Sequence, residues 1–234
     1  MKNRIIVALD NLLPLKEMLS FAENLIPYVG GYKISAYIDR YGVSIIPALK
    51  KLGGIVMTDL KICDIPSQAA RRVGVHIDAG ADFVTVHASG GENMLKSCVV
   101  VAPTQVIAVT ILSSLHDSDS RKLFGVPVRE KVQYMVESAY RNNVAGIVCA
   151  PQDLQYLNTD TAAKKLLKFT PNVLPAWASV QSDQSIGRSM TPQDALKAGA
   201  HYVVIGRPII AVKDPLDAAR RILHDIEEAF SKKP

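Results

Sequence analysis

The chain has 234 residues, of which 48% are hydrophobic and 21% are charged, and its net charge of +5 comes from 27 basic and 22 acidic residues. This composition is typical of a globular protein that buries a substantial core without disulfides or metals, either as one large α/β domain or as two small ones. The basic residues form no run longer than a pair, which argues against a nucleic-acid-binding surface and fits a mild attraction for an anionic metabolite.

No targeting or membrane segment is expected in this sequence. The apolar run at residues 5–9 is too short for a signal peptide, and no apolar segment approaches the length of a membrane span. Cys63, Cys98 and Cys149 are spaced singly, which predicts buried thiols in a reducing compartment rather than disulfides or a zinc site. We therefore expect a cytoplasmic protein that binds neither membranes nor nucleic acid.

Short apolar runs rich in β-branched residues recur along the chain. Their apolar character is nearly continuous rather than alternating, as in strands that are buried on both faces of a parallel sheet. The predicted strands are residues 4–10, 32–35, 55–61, 83–88, 106–112, 146–150, 173–177 and 202–207.

Segments with helical periodicity lie between these strands. Residues 14–25 and 67–79 each place apolar side chains on one face. Thr191 is a predicted N-cap with Pro192 at the first helical position, and the last helix is predicted from Pro215 to about Phe230.

Eight strands that alternate with helices, without a linker or a shift in composition, predict a single (β/α)₈ TIM barrel over residues 1–234. A doubly wound open sheet is the structural alternative. The longest interval between strands contains a polar segment, residues 113–125, which we predict to be a loop over the barrel mouth.

The stretch MTDLKICDIP, residues 57–66, places three charged residues at the end of a predicted buried strand. Residues two apart on a strand share a face, so Asp59 and Lys61 point together into the mouth of a barrel, and Asp64 follows the strand. Asp10 ends the first predicted strand and Lys33 lies in the second. In such barrels the C-terminal ends of the strands carry the catalytic residues. A buried salt-bridge network is the structural alternative, but several charges on different strands favour an active site.

The end of the chain predicts a phosphate site. Gly206 and Arg207 follow the last predicted strand, where backbone N–H groups and a guanidinium suit a phosphate dianion. An arginine that only caps the barrel end is the alternative. The polar segment 178–189 contains Gln181 and Gln184, and we predict that it closes over the phosphate as a lid.

These motifs resemble those of the orotidine 5′-monophosphate decarboxylase family. DLKICDIP is similar to the family pattern D-x-K-x-x-D-I-P. The resemblance continues in the expected order through VALD, YKIS, VHASGG, VTILSSL and VIGRPI, and it covers almost the whole chain.

The resemblance implies a role for each matching residue, and it implies no metal or organic cofactor. Lys33, Asp59 and Lys61 form a charge array in which Lys61 is the proton donor, Asp10 contacts the ribose, and Asp64 reaches a partner's site across a homodimer interface. The residues implied to bind the nucleotide substrate are Asp10, Lys33, Ile65, Gln68, Ser113, Gln181, Gln184, Gly206 and Arg207.

Two positions depart from the family pattern. Gln68 stands where the pattern has threonine, and the strand-seven pattern P-G-I or P-G-V, often followed by arginine, is matched to residues 175–178, Pro-Ala-Trp-Ala. The phosphate contacts are then expected from Arg207, from the lid glutamines, or from both. The sequence does not decide between Gln181 and Gln184.

The implied reaction is loss of CO₂ from carbon 6 of the pyrimidine, with mainly electrostatic catalysis. One alternative is a magnesium-dependent sugar-phosphate aldolase or decarboxylase of the same superfamily, which carries a glutamate near the position of Lys33. The other alternative is a paralogue that binds a nucleotide without turnover. Lys33 argues against the first, and the complete set of charged residues argues against the second.

Overall fold

The computed structural model describes residues 1–11, 13–178 and 189–231. Within these residues, eight strands alternate with helices along the chain. The strands are β1 (Ile5–Ala8), β2 (Gly31–Ile34), β3 (Ile55–Ile62), β4 (Phe83–His87), β5 (Val106–Val109), β6 (Gly146–Val148), β7 (Leu167–Thr170) and β8 (Tyr202–Ile205).

The helices lie outside the strands and cover the sheet. They are α1 (Leu15–Leu25), α2 (Ala36–Tyr41), α3 (Ile45–Leu52), α4 (Pro66–Asp78), α5 (Glu92–Val101), α6 (Asp117–Phe124), α7 (Val128–Arg141), α8 (Leu154–Leu157), α9 (Pro192–Lys197), α10 (Arg207–Ile210) and α11 (Pro215–Ser231). None of the described helices is both long enough and apolar enough to cross a bilayer.

The strands form one closed barrel in sequence order, with every neighbouring pair parallel and β8 paired to β1. The predicted (β/α)₈ barrel is therefore confirmed, and the open doubly wound sheet is excluded. Closure brings the C-terminal ends of all eight strands to one rim, so that side chains far apart in sequence meet there.

The prediction for the seventh strand was wrong. The strand is β7, whereas the predicted segment at residues 173–177 follows it and contains Pro175, which has no N–H to donate to a sheet. Lys168 interrupts the apolar character of β7 and hides it in the sequence. The Lys168 side chain is nevertheless buried, because its Nζ donates to the backbone oxygens of Ala163 (2.8 Å) and Leu166 (3.2 Å).

The polar segment 113–125 is not only a loop, because it contains α6. This helix is mostly exposed and polar, so it lacks the apolar periodicity by which a helix is read from sequence. Its start is held by Asp119, whose carboxylate accepts from the His116 backbone N–H at 3.0 Å. The other predicted helices agree with α1, α4, α9 and α11 to within one or two residues.

The expectation of three buried cysteines was correct for two of them. Cys98 and Cys149 are buried, but Cys63 is exposed. Cys63 lies just after β3, where the chain leaves the barrel, so its neighbours do not cover it.

The core has two layers, which together position the rim. One layer fills the space between strands and helices, and the other fills the barrel interior around Ile6, Met57 and Phe169. Rings of Phe83, Phe169 and Tyr202 pack together inside the barrel, with centroids 4.5 to 6.2 Å apart. This aromatic packing supports the polar residues above it, toward the C-terminal rim.

Candidate active site

A cavity of about 540 Å³ opens at the C-terminal rim of the barrel. It is large enough for a nucleotide-sized ligand. Its lining includes seven residues that the sequence analysis predicted to act at the site: Asp10, Lys33, Asp59, Lys61, Ser113, Gly206 and Arg207. Apolar side chains of Met57, Val148, Val204 and Ile210 complete much of the remaining wall.

Four charged side chains form a line of alternating sign along one side of this cavity. Lys33 Nζ lies 3.3 Å from both carboxylate oxygens of Asp10 and 3.4 Å from Asp59 Oδ2. The same Asp59 oxygen accepts a hydrogen bond of 2.9 Å from Lys61 Nζ. The order is therefore Asp10, Lys33, Asp59, Lys61, with each charge beside an opposite one.

The middle of this array is buried, and its ends are open. The side chains of Lys33 and Asp59 are each 12% exposed, against 40% for Lys61 and 47% for Asp10. Burial opposes ionisation of Asp59. The charges of Lys33 and Lys61 and the hydrogen bonds to the carboxylate outweigh that effect and hold the pKa of Asp59 below its usual value. The free site thus keeps Asp59 as a carboxylate.

An irregularity in β3 produces the position of Lys61. Thr58 pairs with Val84 and Ile62 pairs with Val86, so three residues of β3 stand opposite the single residue Thr85 of β4. Within this bulge Lys61 has a φ of 48°. This is the left-handed region of the backbone, which residues other than glycine, asparagine and aspartate rarely adopt. Such a conformation is often found where a bulge redirects a functional side chain.

Thr85 supports the array directly, although it was not among the site residues predicted from the sequence. Its hydroxyl donates to Asp59 Oδ1 at 3.0 Å and accepts from the backbone N–H of Lys61 at 2.9 Å. The available signal was a polar residue within the apolar strand FVTVH, which sequence patterns alone do not separate from an ordinary strand threonine.

A small apolar recess of about 80 Å³ adjoins the cavity beside Lys61. Lys61 lines one side of it. The other walls come mainly from the ends of β5 and β6 and the residues after them: Val109, Ile111, Leu112, Ser113, Val148, Cys149, Ala150 and Pro171. The apolar walls away from Lys61 disfavour a charged group and accept a neutral one.

Three predicted site residues do not reach the cavity of their own chain. Asp64 is exposed and accepts from the Ile65 backbone N–H at 2.8 Å, with Arg72 Nη1 4.0 Å away. Ile65 is 63% exposed, and Gln68 lies in the first turn of α4. Gln181 and Gln184, the predicted lid residues, lie outside the described residues.

In the described ranges, no group of three or more His, Cys, Asp or Glu side chains is arranged to hold a metal ion. The two carboxylates of the array, those of Asp10 and Asp59, are bridged by the Lys33 ammonium. A divalent cation between them would have to displace that ammonium and overcome its repulsion.

Comparison with known proteins defines the family. A family model described as "Orotidine 5'-phosphate decarboxylase / HUMPS family" matches residues 3–222. The chain belongs to this family.

Individual relatives of the orotidine 5′-phosphate decarboxylase / HUMPS family match over nearly their whole length. A protein from Moorella thermoacetica named orotidine 5′-phosphate decarboxylase is 34% identical, over 97% of this chain and 93% of its own. One of the same name from Paramagnetospirillum magneticum is also 34% identical, over 95% and 97%. The crystal structure of orotidine 5′-phosphate decarboxylase from Lactobacillus acidophilus superposes with a TM-score of 0.75 at 26% identity, over 95% of this chain and 98% of that chain.

The position of β7 changes how the family pattern is matched at strand seven. The residues that directly follow β7 are Pro171, Asn172 and Val173, and the first two line the cavity, so the P-G-V pattern belongs here and not at residues 175–178. Asn172 occupies the position of the glycine in this pattern. Its φ is 59°, a conformation that asparagine tolerates better than most residues. The next position, where the pattern often has arginine, is Leu174, which is buried. The lack of a phosphate-binding guanidinium at this place therefore persists.

Proposed function

We propose that the protein converts orotidine 5′-monophosphate to uridine 5′-monophosphate and CO₂ in de novo pyrimidine biosynthesis, in the cytoplasm, with no metal or organic cofactor. The observation that carries this proposal is the alternating line Asp10, Lys33, Asp59, Lys61 beside a nucleotide-sized cavity. Family membership and relatives named for this activity support it.

The reaction needs fixed charge because its electron pair has no conjugated sink. The bond between C6 and the carboxylate carbon breaks, CO₂ leaves, and the electron pair stays on C6 in the plane of the ring. The ammonium of Lys61 stabilises this carbanion electrostatically and then gives it a proton, forming the C6–H bond of the product. Solvent returns a proton to the Lys61 amine after turnover.

Asp59 and Lys33 prepare Lys61 for this step. The 2.9 Å hydrogen bond from Lys61 to Asp59 directs the ammonium before substrate arrives, so little reorganisation is needed during the reaction. Lys33 balances the charge of Asp59 from the other side and keeps it ionised. A substrate carboxylate next to Asp59 is repelled, and this repulsion is relieved when CO₂ forms.

The apolar recess beside Lys61 is suited to the neutral leaving group. A carboxylate loses hydration when it enters apolar surroundings, whereas CO₂ carries no charge and loses little. The recess therefore favours the product side of the bond cleavage.

The remaining proposed contacts hold the ribose, the pyrimidine and the phosphate of the substrate. Asp10 is proposed to bind the ribose hydroxyls, Ser113 the pyrimidine, and Gly206 with Arg207 the phosphate, since all four line the same cavity. Gln181 or Gln184 is proposed to add a lid contact. Phosphate binding, remote from C6, supplies energy that organises the site for the transition state.

We further propose a homodimer in which Asp64 and Ile65 act in the partner's site, with Gln68 beside them. Asp64 and Ile65 are exposed and do not line their own cavity, although they follow the catalytic strand by only a few residues. A large exposed aliphatic side chain such as Ile65 is suited to burial against a second copy.

The magnesium-dependent alternative has one argument in its favour. The family description also includes HUMPS, the hexulose-phosphate synthase type of enzyme to which this alternative refers. The Lys33 ammonium between two carboxylates argues against it. Activity that requires magnesium and acts on a sugar phosphate would support this alternative, and nucleotide binding without turnover would support the non-catalytic one.

One assay tests the proposed reaction. Purified protein is incubated with orotidine 5′-monophosphate and EDTA, and the ultraviolet absorbance is followed. We expect turnover in EDTA, and none in Lys61→Ala, because that variant lacks the proton donor but keeps the barrel core. Wild-type turnover by Lys61→Ala would contradict the role of Lys61, and no turnover by the wild-type protein would contradict the function.

A complementation assay tests the shared site. Asp59→Ala and Asp64→Ala are each expected to be inactive, but a mixed dimer contains one site with both carboxylates. Mixing the two variants should restore part of the activity. No recovery after proven subunit exchange would contradict the sharing of Asp64.

A further inference from the structure

Thr85 is a buried polar residue at the base of the charge array. Its side chain has no exposure to solvent. It shares a barrel-interior face of β4 with Phe83, two residues earlier, which packs in the interior core. The hydroxyl therefore lies at the junction between the apolar interior and the charged rim, where its hydrogen bonds are not exchanged with bulk water.

The two hydrogen bonds of this hydroxyl have a defined direction. An ionised carboxylate only accepts and a backbone N–H only donates, so the single proton of the hydroxyl goes to Asp59 Oδ1. A lone pair of the same oxygen then faces the Lys61 N–H. One atom thus connects the side chain of Asp59 with the main chain of Lys61.

The bulge in β3 makes this connection necessary. Asp59, Leu60 and Lys61 stand opposite Thr85 alone, so the ladder of β3 and β4 is interrupted here. The Lys61 N–H donates to the threonine hydroxyl oxygen at 2.9 Å. The left-handed conformation of Lys61 persists only where its surroundings hold it, and this hydrogen bond is one direct restraint on it.

We infer that Thr85 is a positioning residue for catalysis: it holds the Lys61 backbone in its left-handed conformation and fixes the Asp59 carboxylate, and so aims the Lys61 ammonium at the reacting carbon. This inference rests on the proposed decarboxylase function for its catalytic part. Thr85 does not line the cavity, so its side chain is not placed to touch a substrate bound there. Its effect on rate passes through the two residues that it binds.

The test compares three substitutions. Thr85→Val keeps the shape and removes the hydroxyl, whereas Thr85→Ser keeps the hydroxyl. Thr110→Val is the matched control, because Thr110 is also fully buried and donates its hydroxyl to the Val148 backbone oxygen at 2.8 Å. Both valine variants lose one buried hydroxyl, but only the first loses a contact to the array.

We expect Thr85→Val to lower kcat about 10- to 100-fold with KM within about threefold, as for a small misplacement of a catalytic group. Thr85→Ser should restore kcat to within about threefold of wild type, and Thr110→Val should stay within about twofold. A kcat for folded Thr85→Val that is close to that of Thr110→Val would overturn the inference. If Thr85→Val does not fold, Thr85→Cys replaces it, and a kcat equal to that of Thr85→Ser would overturn the inference equally.

A second readout needs no substrate and separates this inference from the proposed function. Amide hydrogen exchange of the segment 57–66 should be faster in Thr85→Val than in wild type, and unchanged in Thr110→Val, because only the first frees the Lys61 N–H. Unchanged exchange in Thr85→Val would overturn the restraint itself. Absence of turnover in wild type alongside faster exchange would contradict the decarboxylase function and leave the restraint standing.

Discussion

Replacing Asp59 by asparagine tests whether the charge at the centre of the array drives the reaction. Asparagine has nearly the same shape as aspartate and can still accept from Thr85, but it carries no charge. The ammonium groups of Lys33 and Lys61, which both contact Asp59 Oδ2, would then face each other without a carboxylate between them. We expect Lys61 to turn away from the position from which it is proposed to protonate C6.

The expected loss follows from the two distances. At 2.9 Å and 3.4 Å from Asp59, and with an effective dielectric constant near 20, each ammonium gains about 5 to 6 kcal/mol of gross attraction. Desolvation of the buried carboxylate offsets much of this, and breaking a buried ion pair costs roughly 3–5 kcal/mol net. If transition-state stabilisation falls by that amount, kcat falls by roughly 10²- to 10⁴-fold.

The assay is the steady-state loss of orotidine 5′-monophosphate absorbance, with thermal melting as a check on the fold. Asp82→Asn is the control, because Asp82 pairs with Lys50 at 2.7 Å and also accepts from the Val56 N–H at the start of β3, away from the cavity. Its kcat should stay within about twofold of wild type. A kcat of Asp59→Asn within tenfold of wild type, at a normal melting temperature, would refute the electrostatic reasoning.

Three other outcomes are expected. Arg207→Ala should raise KM by about 10- to 100-fold, with a smaller effect on the affinity for uridine than for its 5′-phosphate; equal effects would contradict phosphate binding. Asn172→Ala should destabilise the fold by about 1 kcal/mol and lower Tm by roughly 2–4 °C, whereas Asn172→Gly should be close to neutral, because only alanine is strained at positive φ. Burial raises the pKa of Cys98 to about 11 and that of Cys149 to about 12, so both stay protonated at pH 8. Native protein should then show at most one thiol reactive to a disulfide reagent, and Cys63→Ser none; a reacting thiol in that variant would contradict the burial.

The local order of the chain was readable from sequence. Seven of the eight strands are nearly continuous apolar runs, as strands buried on both faces must be, and the charges at the ends of β1, β2 and β3 stood out against them. Strand alternation also predicted Asp59 and Lys61 on one side, and both do line the cavity, although the bulge in β3 rather than regular alternation sets the position of Lys61. These features depend on residues close in sequence, so local patterns determine them.

Three features were decided only by the tertiary structure. Strand β7 was not predicted, because a lysine in a sequence is usually taken as a surface residue. Lys168 can be buried only because folding places the backbone oxygens of Ala163 and Leu166 where they accept its hydrogen bonds. The bulge opposite Thr85 depends on the register between β3 and β4, which no single segment encodes. The distances within the charge array depend on barrel closure, which brings the ends of separate strands to one rim. The sequence alone therefore determines which chemical groups are available, whereas the spacing and direction that make them a site arise from contacts between distant segments.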